Sequence, residues 1–345
     1  MRISQGVYVF RICISIAVML SLCILACGCG RSTEYSEDTF ISMDTVISIK
    51  LDPQTPDIKN VFARCREITE EQRKIFDADD PGSEIGIYNS MPLEDRMGTV
   101  SCSPKLASVI LTAANVSFIT HRAFSAGMRD TIEIWKTAEA DQKPPSADVL
   151  EASVRYGYPT ASASDGKTGL IGNGSRIDLG GIAKGAAEQA VIDYLNTTGA
   201  RYGVLSFGGN IAVFGNKTGG EPFRVALRDP KNSAGTVGTV SLKVGFISVS
   251  GNYERYYEIL GERYGHILST SDGQPVKNDL LSVSVISDKG ALADALSTAL
   301  FAMGYVDAKE FAEDYSEKLG FEAVFVTEDG VFATEGLSGS FTMEN

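Results

Sequence analysis

The sequence predicts an α+β fold, with antiparallel sheets and packed helices. Three observations carry this. Short β-branched segments crowd the chain from Tyr202 onward. Apolar stripes at helical spacing are set among them without regular βαβ alternation. No period of 20–50 residues recurs, which excludes a solenoid or propeller. The 345 residues suffice for one large domain or two ordinary ones. Apolar content of 43% and charged content of 22% exclude a disordered chain or a multi-span membrane protein. A net charge of −13 leaves no basic excess for broad nucleic-acid binding.

The N-terminal elements come first. Arg2 and Arg11 precede Ile12–Ala26, a stretch apolar apart from Ser15 and Ser21. That core falls short of the roughly 20 residues a spanning helix needs and fits a secretory signal. Ile24-Leu25-Ala26-Cys27 resembles a bacterial lipobox, which predicts a lipoprotein signal over 1–26 and lipidation (palmitate) at Cys27. Cys29 is a second lipidation candidate, and an uncleaved anchor is the alternative; either places the body outside the cytoplasm. Loss of 1–26 removes two arginines and no acids, so −13 becomes −15. Residues 27–38 read as a polar tether and 39–345 as the body. Cys29, Cys65 and Cys102 form no metal-binding pattern.

In the body, Phe40–Leu51 alternates and reads as one strand. Asp57–Ile75 and Pro104–Thr120 carry helical stripes, with Pro104 suited to a first turn. Asp79-Asp80-Pro81-Gly82 is a turn. Ser146 can cap a helix beginning near Ala147. A short strand is expected to end at Leu179, ahead of a helix from about Ile182. Strands are expected at 203–207, 211–214, 223–227, 236–244, 246–250, 266–268 and 281–286. Helices follow near 291–303 and 308–319, then strands at 323–326 and 331–333.

Three segments carry chemistry. Ala291–Gly304 is apolar on nearly every side except at Asp294, and a buried carboxylate is costly unless paired or metal-bound. Thr298 lies one turn on and Ser297 beside it, an oxygen set suited to a hard cation such as Mg2+. The alternative is a salt bridge from Asp294 to an internal base, with Thr298 bonded back to its own helix. Ile177–Gln189 places two glycines before a helix, with Lys184 in its first turn, where a cation opposes the helix dipole. Either the lysine meets an anion or it is solvated over a tight turn. His266, one of two histidines, is a general base or a polar face residue. No G-x-S-x-G, H-E-x-x-H or C-x-x-C is present.

Together these segments resemble the ApbE family of FAD:protein FMN transferases. The resemblance runs from about Phe40 to Phe341. It rests on Asp178-Leu179-Gly180-Gly181-Ile182-Ala183-Lys184-Gly185 and Asp294-Ala295-Leu296-Ser297-Thr298-Ala299. Met43-Asp44-Thr45, Asp80–Ile85, Gly208-Gly209-Asn210, Arg228-Asp229-Pro230 and Ser250–Arg255 (Ser-Gly-Asn-Tyr-Glu-Arg) support it in the same order. The resemblance implies an ApbE-like, T-fold-like domain. The implied reaction is Mg2+-dependent transfer of FMN from FAD to a Thr or Ser of an acceptor protein, releasing AMP. It implies metal ligation by Gly181, Asp294, Ser297 and Thr298, and FAD contacts at Met43, Asp79, Ala123, Phe124, Ser125, Asp178, Lys184 and Leu268. It implies proton transfer by His266 or Asp294. The implied acceptor is a subunit of a membrane redox complex or an FMN-binding domain. An FAD pyrophosphatase and a non-catalytic flavin-binding lipoprotein are the alternatives. The chain departs from the family pattern at several places. Asp79 stands where relatives carry an aromatic, and Ala186 and Gln189 replace an aromatic and an Asp. Phe124–Asp130 (Phe-Ser-Ala-Gly-Met-Arg-Asp) replaces F-D-x-x-x-G-P, and Ser269-Thr270 replaces an Asp-Pro.

Overall fold

A computed structural model describes residues 35–344, apart from 156, 165–166, 218 and 254. The signal, Cys27 and most of the tether lie outside the described residues. The expected α+β class holds. The main sheet has eight strands in the order β1 (Ser36–Ser42), β2 (Thr45–Leu51), β6 (Tyr202–Phe207), β7 (Asn210–Gly215), β10 (Gly245–Gly251), β13 (Leu280–Ser287), β14 (Phe321–Thr327) and β15 (Val331–Ala333). Every neighbouring pair in it is antiparallel. Smaller sheets are β3 (Thr99–Ser101) with β5 (Lys167–Ile171) and β4 (Thr160–Ser164); β16 (Phe341–Met343) with β9 (Thr236–Leu242) and β8 (Phe223–Arg228); and the hairpin β11 (Tyr256–Ile259) with β12 (Glu262–Gly265).

Eight α-helices accompany them among the described residues: α1 (Ile58–Phe76), α2 (Glu84–Ser90), α3 (Pro104–Ile119), α4 (Arg129–Asp141), α5 (Ala147–Ser153), α6 (Ala183–Leu195), α7 (Gly290–Met303) and α8 (Tyr305–Leu319). Ser103 caps α3 by accepting from the Leu106 amide, and Pro104 occupies the first turn, where a missing N–H costs nothing. Ser146 precedes α5 as expected, yet its side chain makes no capping bond.

Three expected elements differ. Of the strand expected at 266–268 only an isolated bridge from Leu268 to Pro275 forms. Phe40–Leu51 is the end of one strand and the whole of another. The chain reverses at Met43 and Asp44, both in the left-handed region (φ 52° and 55°). Residues 177–179 are not a strand; Ile177 and Leu179 are buried from irregular backbone.

The main core lies between the large sheet and α1, α3, α6 and α7. Helix α7 is central, packed on β10 and β13 and touching α3, α6 and α8. A β-carbon on Gly185 would fall 2.1 Å from the Gly290 carbonyl oxygen, and one on Gly290 would fall 2.3 Å from that of Gly185. Glycine is thus required at both positions, and α6 and α7 cross backbone to backbone.

Candidate active site

The α6–α7 crossing builds the first half of the site. Asp294 is 4% exposed. Its Oδ2 accepts the Gly185 amide at 2.9 Å and its Oδ1 accepts Ser248 Oγ at 3.0 Å. Among the described residues no Lys or Arg pairs with it, so the salt-bridge alternative is not seen there. Ser248 Oγ also lies 2.9 Å from the Asn210 amide oxygen, while the buried Asn210 Nδ2 has no protein partner. One hydroxyl proton cannot serve both acceptors. With the amide turned over, Nδ2 donates to Ser248 and the serine proton goes to Asp294.

Around this carboxylate lies a group of hydroxyls. Ser297 Oγ donates to the Asp294 carbonyl at 2.9 Å and lies 2.8 Å from Ser250 Oγ. Thr298 Oγ1 is 3.3 Å from Ser250 Oγ and 3.4 Å from the Asp294 carbonyl, so the back-bonding alternative is realised in part. A β-carbon on Gly181 would sit 3.2 Å from Thr298 Oγ1 and 3.1 Å from a Phe124 ring carbon. Gly181, Phe124 and Thr298 therefore converge, and a side chain at 181 would fill the cradle. Among the described residues no three His, Cys, Asp or Glu cluster as a metal site. The donors here are one carboxylate, hydroxyls and backbone carbonyls, and that set fits a hard divalent cation rather than zinc. Ser297 is fully buried and turned toward β10, so Asp294, Thr298 and the Gly181 carbonyl are the ligands best suited to such an ion.

A second buried carboxyl accompanies the first. Glu188, on the face of α6 two residues beyond Ala186, is 1% exposed, and its Oε1 has no partner. Burial, reinforced by the charge of Asp294, holds its pKa well above the ordinary carboxylate range; Lys184 opposes this weakly. Gln189 beside it has a structural task. Its Oε1 accepts the Gly290 amide at 3.2 Å, at the start of α7. The departure at 189 therefore touches the helix crossing.

The other half is a mouth formed by residues 123–130 and 177–184. The Asp178 amide donates to the Ala126 carbonyl at 2.8 Å, tying the two segments together. Asp178 Oδ1 accepts from the Gly180 amide at 2.9 Å, and Oδ2 from Arg129 Nη1 at 3.3 Å. Arg129 Nη2 reaches Asp79 Oδ1 at 2.5 Å, and Lys136 Nζ holds Asp79 Oδ2 at 2.7 Å. Burial would raise the Asp79 pKa, but Arg129 and Lys136 outweigh it and hold it below the usual range. Ser117 Oγ donates to the Phe124 carbonyl at 2.7 Å, and Ser125 Oγ accepts from the Gly127 amide at 3.1 Å; both shape the loop. Lys184 Nζ donates to the Gly180 carbonyl at 3.1 Å and remains half-buried. This bond offsets part of the dipole cost expected of a cation in a first turn.

His266 follows β12 directly and is not in a strand. Burial drives its pKa down to about 4, partly offset by the Arg255 carbonyl, with the Arg255 and Lys184 charges adding to the depression. Its Nδ1 is 2.9 Å from the Arg255 carbonyl oxygen. A carbonyl can only accept, so Nδ1 carries the proton and Nε2 is the free acceptor. Leu268 packs with Met128, Trp135 and Tyr257 beneath the hairpin, and Met43 packs against the main core from the β1–β2 turn. Cys65 and Cys102 are free thiols. Arg129, Ser248, Gly185 and Glu188 escaped the sequence reading. The glycine and Glu188 lie in a segment already singled out; Arg129 lies in one whose departure from the family pattern marked it.

The sequence model of the ApbE family matches residues 43–325. The chain belongs to the ApbE family. It is 36% identical over 239 residues to the FAD:protein FMN transferase of Rhodobacter capsulatus, covering 67% of this chain and 44% of that protein. It thus spans less than half the length of that relative. The transferase of Vibrio cholerae is 24% identical over 319 residues, covering 91% and 94% of the two chains. Among solved structures, the ApbE protein of Thermotoga maritima superposes with a TM-score of 0.78 at 27% identity, covering 89% of this chain and 99% of that one. The family fold that the resemblance implies is the fold observed.

Proposed function

We propose that this protein is an FAD:protein FMN transferase that moves FMN from FAD to a Thr or Ser hydroxyl of an acceptor protein. The names of its family relatives support the reading. The observation that carries it is the buried Asp294 beside Thr298 and Gly181, held by a backbone amide and a serine and without a basic partner among the described residues. A charge so placed suits a site that receives a cation. Mg2+, when bound there, supplies neutralisation of the diphosphate charge. Lys184, held at the Gly180 carbonyl, is placed to pair with the phosphates.

The acceptor hydroxyl oxygen forms a bond to the FMN phosphorus as the diphosphate bond breaks. AMP leaves with the bridging oxygen, and the hydroxyl proton goes to a base. His266 Nε2 suits that role, because the Arg255 carbonyl fixes the ring proton on Nδ1 and leaves Nε2 as the acceptor. Asp294 suits it less, since both its oxygens already accept hydrogen bonds. The chain is read as an extracytoplasmic lipoprotein anchored through Cys27, facing acceptors in membrane redox complexes.

The test combines the protein with FAD, Mg2+ and a candidate acceptor domain, following AMP and the acceptor's intact mass together. AMP with an acceptor heavier by one FMN supports transfer. AMP with free FMN and an unchanged acceptor supports a pyrophosphatase. Asp294→Asn should abolish both products and the thermal stabilisation given by Mg2+ while the far-UV dichroism is kept. Full turnover in that variant refutes the metal assignment.

A further inference from the structure

Asp79 and Arg129, 50 residues apart in the chain, are bonded side chain to side chain at 2.5 Å. Arg129 also donates through Nη1 to Asp178 at 3.3 Å and through Nε to Glu133 at 2.9 Å. Its side chain is 7% exposed. Three carboxylates on three nitrogens fix the plane of the guanidinium. A guanidinium has five N–H groups, so one remains uncommitted on each terminal nitrogen.

Charge decides what those groups can meet. Arg129 and Lys136 face Asp79, Asp178 and Glu133, so the cluster carries one net negative charge. Arg176, bonded to Asp130 and Glu133, leaves that balance unchanged once Asp130 is included. A phosphate arriving here would confront three carboxylates. The lysine better placed for phosphate is Lys184, on the Asp294 side of the same 178–184 segment. What the Arg129–Asp178 pair can recognise is a neutral group presenting a donor beside an acceptor. The pyrimidine edge of an isoalloxazine ring, with N3–H between two carbonyls, has that pattern.

We propose that Arg129 and Asp178 read the pyrimidine edge of the flavin, Asp178 accepting from ring N3–H and Arg129 donating to the adjacent ring carbonyl. Arg129 is then a specificity-determining residue. Asp79 and Glu133 are positioning residues that hold its guanidinium in register. The inference rests on the flavin reading above and adds the residue that selects the ring.

The test is equilibrium binding without turnover, with the full chain in detergent and EDTA. FAD and FMN are titrated by flavin fluorescence, and ADP-ribose, which keeps the diphosphate and lacks the flavin, by calorimetry. Arg129→Met and Arg129→Lys should weaken FAD and FMN by about tenfold to a hundredfold, the range for a lost hydrogen bond from a charged donor. ADP-ribose binding should stay unchanged. Arg129→Lys keeps the charge and protects the test against misfolding of the Met variant. Asp79→Asn should produce a smaller loss confined to the same two ligands. Unaltered FAD affinity in both Arg129 variants overturns the proposal, and so does an equal loss for ADP-ribose. If the unmodified chain binds neither flavin, the functional reading itself fails; if it binds and the variants bind equally, only the role of Arg129 fails.

Discussion

Replacing Glu188 with Gln should stabilise the protein, increasingly so as the pH rises. The folded chain keeps Glu188 neutral by burial next to Asp294, whereas the unfolded chain ionises it near the ordinary value of 4.5. Above that pH the folded state binds one more proton than the unfolded state, so stability falls with pH at about 1.4 kcal/mol per unit. The fall ends at the folded-state pKa. Each pH unit by which burial raises the folded-state pKa costs about 1.4 kcal/mol of stability once that pKa is passed. His266 acts with the opposite sign. Its pKa drops from 6.5 to about 4 on folding, so stability rises with pH across that interval. The two slopes overlap between 4.5 and 6.5 and obscure each other in the unmodified protein. The assay is urea unfolding of both proteins in EDTA from pH 4.5 to 8.5, with the difference curve taken at each pH. Subtraction removes His266 and all other shared groups. The difference should start near zero and rise with pH in favour of Glu188→Gln. A flat difference curve refutes the assignment of Glu188 as a neutral buried acid.

Gly185→Ala should destabilise by several kcal/mol, because its methyl would lie 2.1 Å from the Gly290 carbonyl oxygen and 2.8 Å from Asp294 Cβ; a urea midpoint equal to that of the unmodified protein would contradict the backbone crossing. Ser248→Ala removes one of the two donors to Asp294 and should cost about 1–3 kcal/mol by urea unfolding; an unchanged midpoint would show that the bond contributes nothing. Cys27→Ser should abolish incorporation of labelled palmitate into the expressed full-length chain; undiminished labelling would move lipidation to Cys29 or elsewhere.

What was legible in the sequence was mostly local. The α7 helix was legible because one acid interrupts an apolar surface, and α3 because Ser103 and Pro104 mark its start. The β1–β2 hairpin was hidden because its turn uses Met43 and Asp44 without glycine or proline, and the alternation carries through it. The illusory strand ending at Leu179 has a different cause. Ile177 and Leu179 alternate inward because the core closes over them, with the backbone bonded to Ala126 and the Asn89 side chain. Helix α4 lacks a capping side chain, and its buried Trp135 serves a small cluster under the β11–β12 hairpin, so its beginning had no local mark. The partners of Asp294 come from β7, β10 and α6, and only tertiary register brings them together.

That register explains why the site carries charge at all. A carboxylate at a glycine–glycine helix crossing can be stabilised by a backbone amide, and Gly185 supplies one. Such a bond favours the ionised form without cancelling its charge. An arginine in the same place would cancel it and leave nothing for a cation to do. Burial, and after it the charge of Asp294, hold the adjacent Glu188 in its neutral form well above the ordinary carboxylate range. The second acid makes metal affinity depend on residue 188 as well as on the ligands themselves. A cation at Asp294 would favour ionisation of Glu188, so affinity should rise with pH in the unmodified chain and lose that rise in Glu188→Gln. Mg2+-induced thermal shifts recorded for both proteins from pH 6 to 8.5 decide this. Parallel shifts across the range would show that Glu188 and the metal site are uncoupled.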